Sequence, residues 1–217
     1  MPKGMTKRRP ETRARLFDAA LEVFAEQGFS GASIEDICRR AGYTRGAFYS
    51  NFATRDELFF ALFDARARRA MEWVVTASDD GSGEPITLEQ IAELVAHVPP
   101  DERNWYLVTT EFTLYAIRNP EAARTLAEHD DEVRGQVARG LGDLLARAGL
   151  SCTIDLDELA RMIITLREGA LGQSFVDPGG QPPAWLVRRF LELLLPVVVK
   201  RRPRRGNGPA SRPHCPI

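Results

Sequence analysis

Apolar side chains recur along most of the chain at the three- and four-residue spacing of an amphipathic helix. Residues 11–27 show this spacing first, with Leu16, Ala20 and Phe24 on one stripe. No segment shows the alternating pattern of a β-strand. We therefore predict an all-α chain of about nine helices. Beyond the N-terminal quarter, the predicted helices lie at 87–97, 101–118, 119–147, 155–176 and 184–201.

Three helices joined by tight turns are predicted before residue 57, and the third of them is unusual. Gly42 ends the second helix, Thr44 can cap the third, and Phe48 and Phe52 can face inward in "GYTRGAFYSNF". This stretch has low helix propensity and is too short to be stable alone. The sequence "TRDE" at 54–57 then predicts a capping box that opens a long helix through about residue 75.

Two short helices joined by a glycine turn after a longer helix form a helix-turn-helix unit, whose second helix enters the DNA major groove. Arg45 in its first turn can donate to guanine O6 and N7, and the small Gly46 and Ala47 let the backbone approach. Thr44 and the helix N-terminus can meet a phosphate. The candidates for other backbone contacts are Tyr49, Asn51 and Arg55. The same spacing also fits a small bundle in which Arg45 is a solvated charge.

Residues 11–63 resemble the N-terminal domain of the TetR family of bacterial transcriptional regulators. The resemblance lies in "AALEVFAEQGFSGASIEDICRRAGYTRGAFYSNFATRDEL". It implies that Ser33 and Thr44 cap the two motif helices beside phosphates and that Arg45 with Ala47 faces bases. It also implies backbone contacts for Tyr49 and Arg55.

The chain departs from the family pattern at three positions. Asn51 stands where the family often has His, and Arg55 replaces the commoner Lys. Glu35 lies near the predicted DNA-facing start of the second helix, where an acid could accept from cytosine N4 or repel phosphate.

The predicted organisation has four parts. Residues 1–10 form a flexible basic arm, and residues 11–57 form the DNA-binding domain, with the motif at 33–52. The long helix at 54–75 joins it to a helical effector-binding and dimerisation domain at 76–201, as the resemblance implies. Residues 202–217 are a disordered basic tail, because Pro, Gly and Arg dominate there.

Aromatic side chains with a few polar neighbours predict a small-molecule site in the body. The candidates are Trp73, Trp105, Tyr106, Thr109, Phe112, Tyr115, Met162 and Phe175. The alternative is that these rings are plain core. Glu111 and Arg167 are the polar residues of interest: an unpartnered buried Glu111 would favour a cationic effector, and a pair between the two would be structural.

The last two long helices carry dense apolar faces. Paired with those of a second copy across a twofold axis, they would form a four-helix interface. The predicted interface residues are Leu159, Ile163, Leu166, Phe190 and Leu194. The alternative is that these faces complete the core of one protomer.

Composition and charge limit the partners. Residues 1–15 and 200–217 each carry six basic side chains, whereas the stretch between them holds 17 basic and 29 acidic ones. Basic ends on an acidic body fit local contact with a polyanion, and an N-terminal arm with Lys7, Arg8 and Arg9 would lie near DNA. Three widely spaced cysteines predict a cytoplasmic, reducing environment. No apolar run is long enough to span a membrane.

Catalytic and metal chemistry is not predicted. In "EHDDE" at 128–132, His129 shares a helix face with Glu132 only, which fits a solvated acidic face better than a metal site. No phosphate-binding glycine loop or nucleophile motif occurs, so we predict neither enzymatic activity nor a cofactor.

These observations together predict a cytoplasmic homodimeric repressor. Its partners would be a palindromic double-stranded operator and an unknown small-molecule effector, with no membrane contact. The alternative is a helical small-molecule sensor or scaffold protein that does not read DNA.

Overall fold

The structure, a computed structural model, describes residues 5–79 and 85–202. Within these ranges it contains nine helices and two short strands, which confirms the all-α prediction. The helices are α1 (Met5–Gln27), α2 (Ile34–Ala41), α3 (Arg45–Tyr49), α4 (Arg55–Ala77), α5 (Leu88–Ala96), α6 (Glu102–Arg118), α7 (Pro120–Arg147), α8 (Leu156–Val176) and α9 (Pro183–Val198). The strands are β1 (Leu150–Cys152) and β2 (Val199–Arg201). None of these helices combines the length and the apolar character needed to cross a membrane.

Side-chain caps start the helices of the N-terminal region where the sequence predicts them. The side chains of Ser33, Thr44 and Thr54 each accept a hydrogen bond from the backbone N–H three residues further on. Gly42 ends α2 in the left-handed conformation, with φ of 73°. The predicted capping box differs in one detail, because Glu57 accepts from the N–H of Ala53 rather than from that of Thr54.

The chain differs from the sequence prediction at two of its elements. Helix α1 begins at Met5, so residues 5–10 of the predicted flexible arm are helical; the basic residues at 7–9 are good helix formers, although Pro10 lies inside the helix. The last helix ends at Val198, since β2 follows and pairs antiparallel with β1, with Ser151 opposite Lys200. Strands of three residues are too short to show an alternating pattern. The predicted basic tail lies outside the described residues from 203 onward.

Two apolar cores hold the helices together, and their boundary was not predicted. The first, here called the N-terminal core, combines residues of α1 to α4 with Val108, Phe112 and Ala116 of α6. The second, the body core, is formed by α5, α7, α8 and α9. Helix α6 therefore begins in the body but packs its buried face against the DNA-binding domain. The predicted domain limit at residue 57 does not coincide with a gap in packing.

A buried carboxylate ties three helices of the molecule together. Glu102 at the start of α6 is only 7% exposed. It accepts hydrogen bonds from Arg66 of α4 at 3.1 Å and from Arg167 of α8 at 2.9 Å. Arg66 also pairs with Asp101, and Arg167 donates to the carbonyl of His97 at 2.8 Å. This set of residues, the Glu102 cluster, satisfies each buried charge through more than one partner.

Removal of the Glu102 carboxylate is expected to destabilise the fold. Glu102→Ala would leave Arg66 and Arg167 without their shared counter-charge in a buried setting, which costs about 3 kcal/mol in the free energy of unfolding. Urea denaturation measures this loss. The matched control is Glu72→Ala at an exposed position of α4, for which we expect a change within about 0.5 kcal/mol. Equal effects of the two variants would contradict a structural role for the cluster.

Candidate DNA-binding site and effector domain

Helix α3 is held in place by two buried aromatic side chains, Phe48 within the helix and Phe52 shortly after its end. Phe48 and Phe52 are buried in the N-terminal core, with ring centroids 5.9 Å apart. At the other end, Thr44 Oγ1 accepts a hydrogen bond from the N–H of Ala47 at 3.3 Å. A helix of five residues is therefore stable here because tertiary packing replaces the missing length. Its opposite side remains exposed.

That exposed side presents most of the residues predicted to contact DNA. Thr44, Arg45, Gly46 and Tyr49 are exposed, whereas Ala47 is half-buried. The Arg45 guanidinium forms a salt bridge with Glu35 of α2 and donates to Tyr49 Oη at 3.2 Å. Arg45 is thus held between α2 and its own helix in the absence of a partner. The hydrogen bond to Tyr49 and the charge of Glu35 both raise its pKa, so the guanidinium stays charged.

The contact surface at Gly46 is open. A Cβ built at this position would meet only Thr44 Oγ1, at the ordinary contact distance of 3.7 Å. The fold itself therefore does not require glycine there, although glycine costs about 1 kcal/mol relative to alanine inside a helix.

Asn51 and Arg55 each donate a hydrogen bond within the protein, and their predicted contacts with DNA stay predictions. Asn51 Nδ2 donates to the carbonyl of Ala47 at 2.8 Å and so closes the end of α3. Arg55 donates to the carbonyl of Ala32 at 2.8 Å, and its guanidinium lies 4.3 Å from the centre of the Phe29 ring. Ala32 and Phe29 lie in the loop before α2, so the contacts of Arg55 could not be read from helix spacing, whereas Asn51 and Ala47 are four residues apart.

Ser33 also bonds within the protein. Its hydroxyl accepts from the N–H of Asp36 at 3.1 Å and donates to the Asp36 carboxylate at 2.5 Å. The hydrogen bond from the Ser33 hydroxyl is the main cause that lowers the pKa of Asp36, and the charge of Arg39 lowers it further. The predicted cap is confirmed, and the predicted phosphate contact stays a prediction.

A cavity of 390 Å³ lies between the C-terminal end of α4 and α5. Trp73 lines it and stacks on His97 with ring centroids 3.8 Å apart. Partial burial and the nearby Arg167 lower the pKa of His97, which favours the neutral imidazole. The other lining residues are Ala77, Ser78, Pro85, Ile86, Thr87, Gln90, Glu93 and Leu94. Of the predicted effector residues, Trp73 is the one that lines this cavity.

The other predicted effector residues lie elsewhere. Phe112 is fully buried and stacks on Phe59 at 4.1 Å, so it belongs to the N-terminal core. The rest divide between packing contacts and an outward position. Trp105 and Tyr115 pack against that core, and Tyr106 packs edge-on against Phe175 with ring centroids 5.4 Å apart. The Thr109 hydroxyl donates to carbonyls of its own helix, and Met162 is exposed.

Glu111 and Arg167 do not pair with each other. Glu111 accepts from the backbone N–H of Phe29 at 2.8 Å and is exposed, whereas Arg167 belongs to the Glu102 cluster. Glu111 therefore stabilises the loop after α1 and gives no indication of a cationic effector.

The predicted interface residues divide between the core and the surface. Leu159 and Ile163 are buried in the body core of a single protomer, so they have almost no surface to lose to a partner. Leu166, Phe190 and Leu194 are half-buried. The predicted interface set left out the exposed apolar residues on the outer face of α8 and α9, because helical spacing does not tell which of two apolar faces points outward. These residues are Val176, Trp185, Leu193 and Val197, together with Met162.

Comparisons with known proteins identify the family. Residues 16–62 match the family model described as bacterial regulatory proteins of the tetR family. Residues 86–196, about half of the chain, match the model described as the C-terminal part of BetI-type transcriptional repressors. The chain belongs to the TetR family of transcriptional regulators. It is accordingly a DNA-binding regulator of transcription, and the matched families are regulators rather than enzymes.

Individual relatives agree with this family. The chain is 37% identical to the HTH-type transcriptional regulator SrpR of Pseudomonas putida over 105 residues, which cover 42% of this chain and 49% of SrpR. It is 25% identical to UidR of Escherichia coli over 164 residues, which cover 74% of this chain and 80% of UidR. The fold also matches the fatty acid degradation regulator FadR from Bacillus halodurans, with a TM-score of 0.66, 18% identity and coverage of 90% and 97% of the two chains.

Loss of the Arg55 side chain is expected to destabilise the DNA-binding domain. Arg55→Ala would remove the hydrogen bond to Ala32 and the contact with the Phe29 ring, which together contribute about 1–2 kcal/mol. Thermal unfolding measures the change. Arg39→Ala is the control, because Arg39 forms an exposed salt bridge with Asp36 whose loss costs under about 1 kcal/mol. Unchanged stability of Arg55→Ala together with weakened DNA binding would instead support a phosphate contact.

Proposed function

We propose that this TetR-family protein is a homodimeric, ligand-responsive repressor that acts in the cytoplasm on a palindromic operator. The observation that carries the proposal is the exposed side of α3, where Arg45, Gly46 and Tyr49 stand on a helix anchored from behind by Phe48 and Phe52. A rigid scaffold with a polar, small-residue face is what entry into a major groove requires.

In this proposal Arg45 reads a guanine and Gly46 allows the close approach. The Arg45 guanidinium would leave Glu35 and donate two hydrogen bonds to the guanine base, one to O6 and one to N7. The open space at Gly46 supports this role. The fold has room for a larger side chain there, so the glycine is explained by DNA lying against this position. Tyr49 would donate to the sugar-phosphate backbone, and Glu35 is freed to accept from cytosine N4 or to face away.

Dimerisation would use the outer face of α8 and α9. Leu193 and Val197 are 59% and 74% exposed, and Trp185 on the same helix is 44% exposed. Exposed apolar residues at this density mark an interaction surface. A twofold axis along this face would place two copies of α3 on successive major grooves, about 34 Å apart, which matches a palindromic operator.

The effector would occupy the cavity beside Trp73. Its lining combines the stacked Trp73 and His97 rings with Gln90 and Glu93, which suits a small organic molecule with an apolar body and a few hydrogen-bonding groups. The cavity adjoins the far end of α4, whose other end follows α3. Effector binding would shift α4 and change the spacing of the two recognition helices. By linkage, operator DNA then weakens effector binding by the same factor.

Substitution of Arg45 is expected to weaken operator binding. Each bidentate base contact contributes about 1–3 kcal/mol, so Arg45→Ala should lower affinity roughly 5- to 150-fold per half-site. Gel-shift titration against the promoter beside the protein's own gene measures the effect. Arg118→Ala, at the exposed C-terminal end of α6, is the control for net charge. Specific binding that is unaffected by Arg45→Ala would refute base reading, and absence of specific binding by the native chain would favour a sensor that does not read DNA.

A charge on the outer face of α9 is expected to separate the dimer. Leu193→Glu places a carboxylate on an exposed surface, so the protomer should fold normally, whereas a buried dimer interface would not tolerate an unpaired charge. Sedimentation equilibrium should then give a monomer with weakened operator binding. Ile117→Glu on α6 makes the same change at a 73% exposed apolar residue outside this face and should remain a dimer. A dimeric Leu193→Glu would place the interface elsewhere.

A further inference from the structure

Three metal-binding side chains meet between α4 and α7, although the sequence predicted no metal. His129 and Glu132 share one face of α7, and Asp64 of α4 joins them from 65 residues away in the chain. One donor atom from each of the three lies within 4.8 Å of those of the other two. The sequence could not reveal the third donor, because helix spacing connects His129 with Glu132 only.

We propose that Asp64, His129 and Glu132 bind one divalent ion of the zinc class. A tetrahedral ion with bonds of about 2.1 Å needs donor atoms roughly 3.4 Å apart. The distance from His129 Nδ1 to Asp64 Oδ1 is already 3.0 Å, so small side-chain rotations bring the three donors into range. When the ion binds Nδ1, the neutral imidazole carries its proton on Nε2, so coordinate bonds from Nδ1 and Asp64 Oδ1 to the ion replace the hydrogen bond between them.

The histidine distinguishes this group from an ordinary acidic surface patch. Its ring is stacked on Phe60 with centroids 4.3 Å apart and an interplanar angle of 8°, which fixes the orientation of the ring nitrogens. It is also partly sheltered, with a side-chain exposure of 20%. One imidazole and two carboxylates favour Zn²⁺ over Mg²⁺ or Ca²⁺, which prefer oxygen ligands alone. Three protein ligands leave one position for water.

Metal binding would connect α4 to α7 by coordinate bonds in place of one hydrogen bond. Helix α4 runs from the DNA-binding domain to the cavity beside Trp73, and α7 packs on α8 in the body. The ion would therefore fix α4 against the body at a point between the two. The site itself stands independently of the proposed function, because its test needs neither operator nor effector.

Calorimetric titration of the metal-free full-length protein with ZnCl₂ tests the site. We expect one high-affinity Zn²⁺ ion per chain at this site. In Glu132→Gln the affinity should fall more than tenfold. Loss of a contact that only supports a ligand costs about 10- to 100-fold in metal affinity, and loss of a ligand itself should cost at least as much. Glu128→Gln is the matched control: it makes the same change at an exposed position of the same helix outside the group. It should bind Zn²⁺ like the native chain.

Two further measurements decide between a site and nonspecific binding. Zn²⁺ should raise the unfolding temperature of the native chain and of Glu128→Gln but not that of Glu132→Gln, whose fold is checked by its unfolding temperature without metal. His129→Gln should likewise abolish the effect, which separates this site from the thiols of the three cysteines. Equal Zn²⁺ affinity in Glu132→Gln and Glu128→Gln, or Mg²⁺ binding as tight as Zn²⁺ binding, would overturn the proposal.

Discussion

The packing of Phe112 on Phe59 is the contact on which the arrangement of the two parts depends. The rings stack at 4.1 Å, and Phe29 closes against them edge-on at 4.8 and 5.5 Å. All three side chains are buried, and they come from α6, α4 and the loop before α2. Because a close-packed interior shifts between discrete arrangements rather than deforming smoothly, α6 cannot move without moving α4 and this loop.

The Glu102 cluster adds a connection of a different physical kind. Apolar packing at Phe112 is not directional, whereas the hydrogen bonds of Glu102 to Arg66 and Arg167 are. Buried ion pairs add little net stability, because desolvation offsets most of the attraction. The cluster therefore fixes the register of α4 against α6 and α8. An effector that occupied the cavity beside Trp73 would therefore act on a helix α4 that is held at Phe59 by packing and at Arg66 by hydrogen bonds.

Local signals in the sequence predicted the elements well, and contacts between distant elements account for what they missed. Caps such as Thr44 act within three residues, so a single sequence reveals them. The position of Arg55 depends on a loop that precedes it by more than twenty residues. Leu159 was predicted at an interface and lies in the core, since an amphipathic pattern identifies an apolar face but not the element that covers it. The roles of the DNA-contact residues stay predictions.

In the proposed complex with an operator, the pairing of Arg45 with Glu35 would bear on specificity rather than on stability. Both side chains are about half exposed, and an exposed ion pair contributes at most about 1 kcal/mol. A bidentate contact with guanine contributes about 1–3 kcal/mol, so Arg45 can exchange Glu35 for a correct base. Exchange of Glu35 for a solvated phosphate would replace one exposed ion pair by another and contribute little. An acidic neighbour that weakens nonspecific attraction increases the difference between operator and random DNA. The acid at position 35 is therefore compatible with the proposed reading of a specific sequence, in which Arg45 exchanges Glu35 for a guanine.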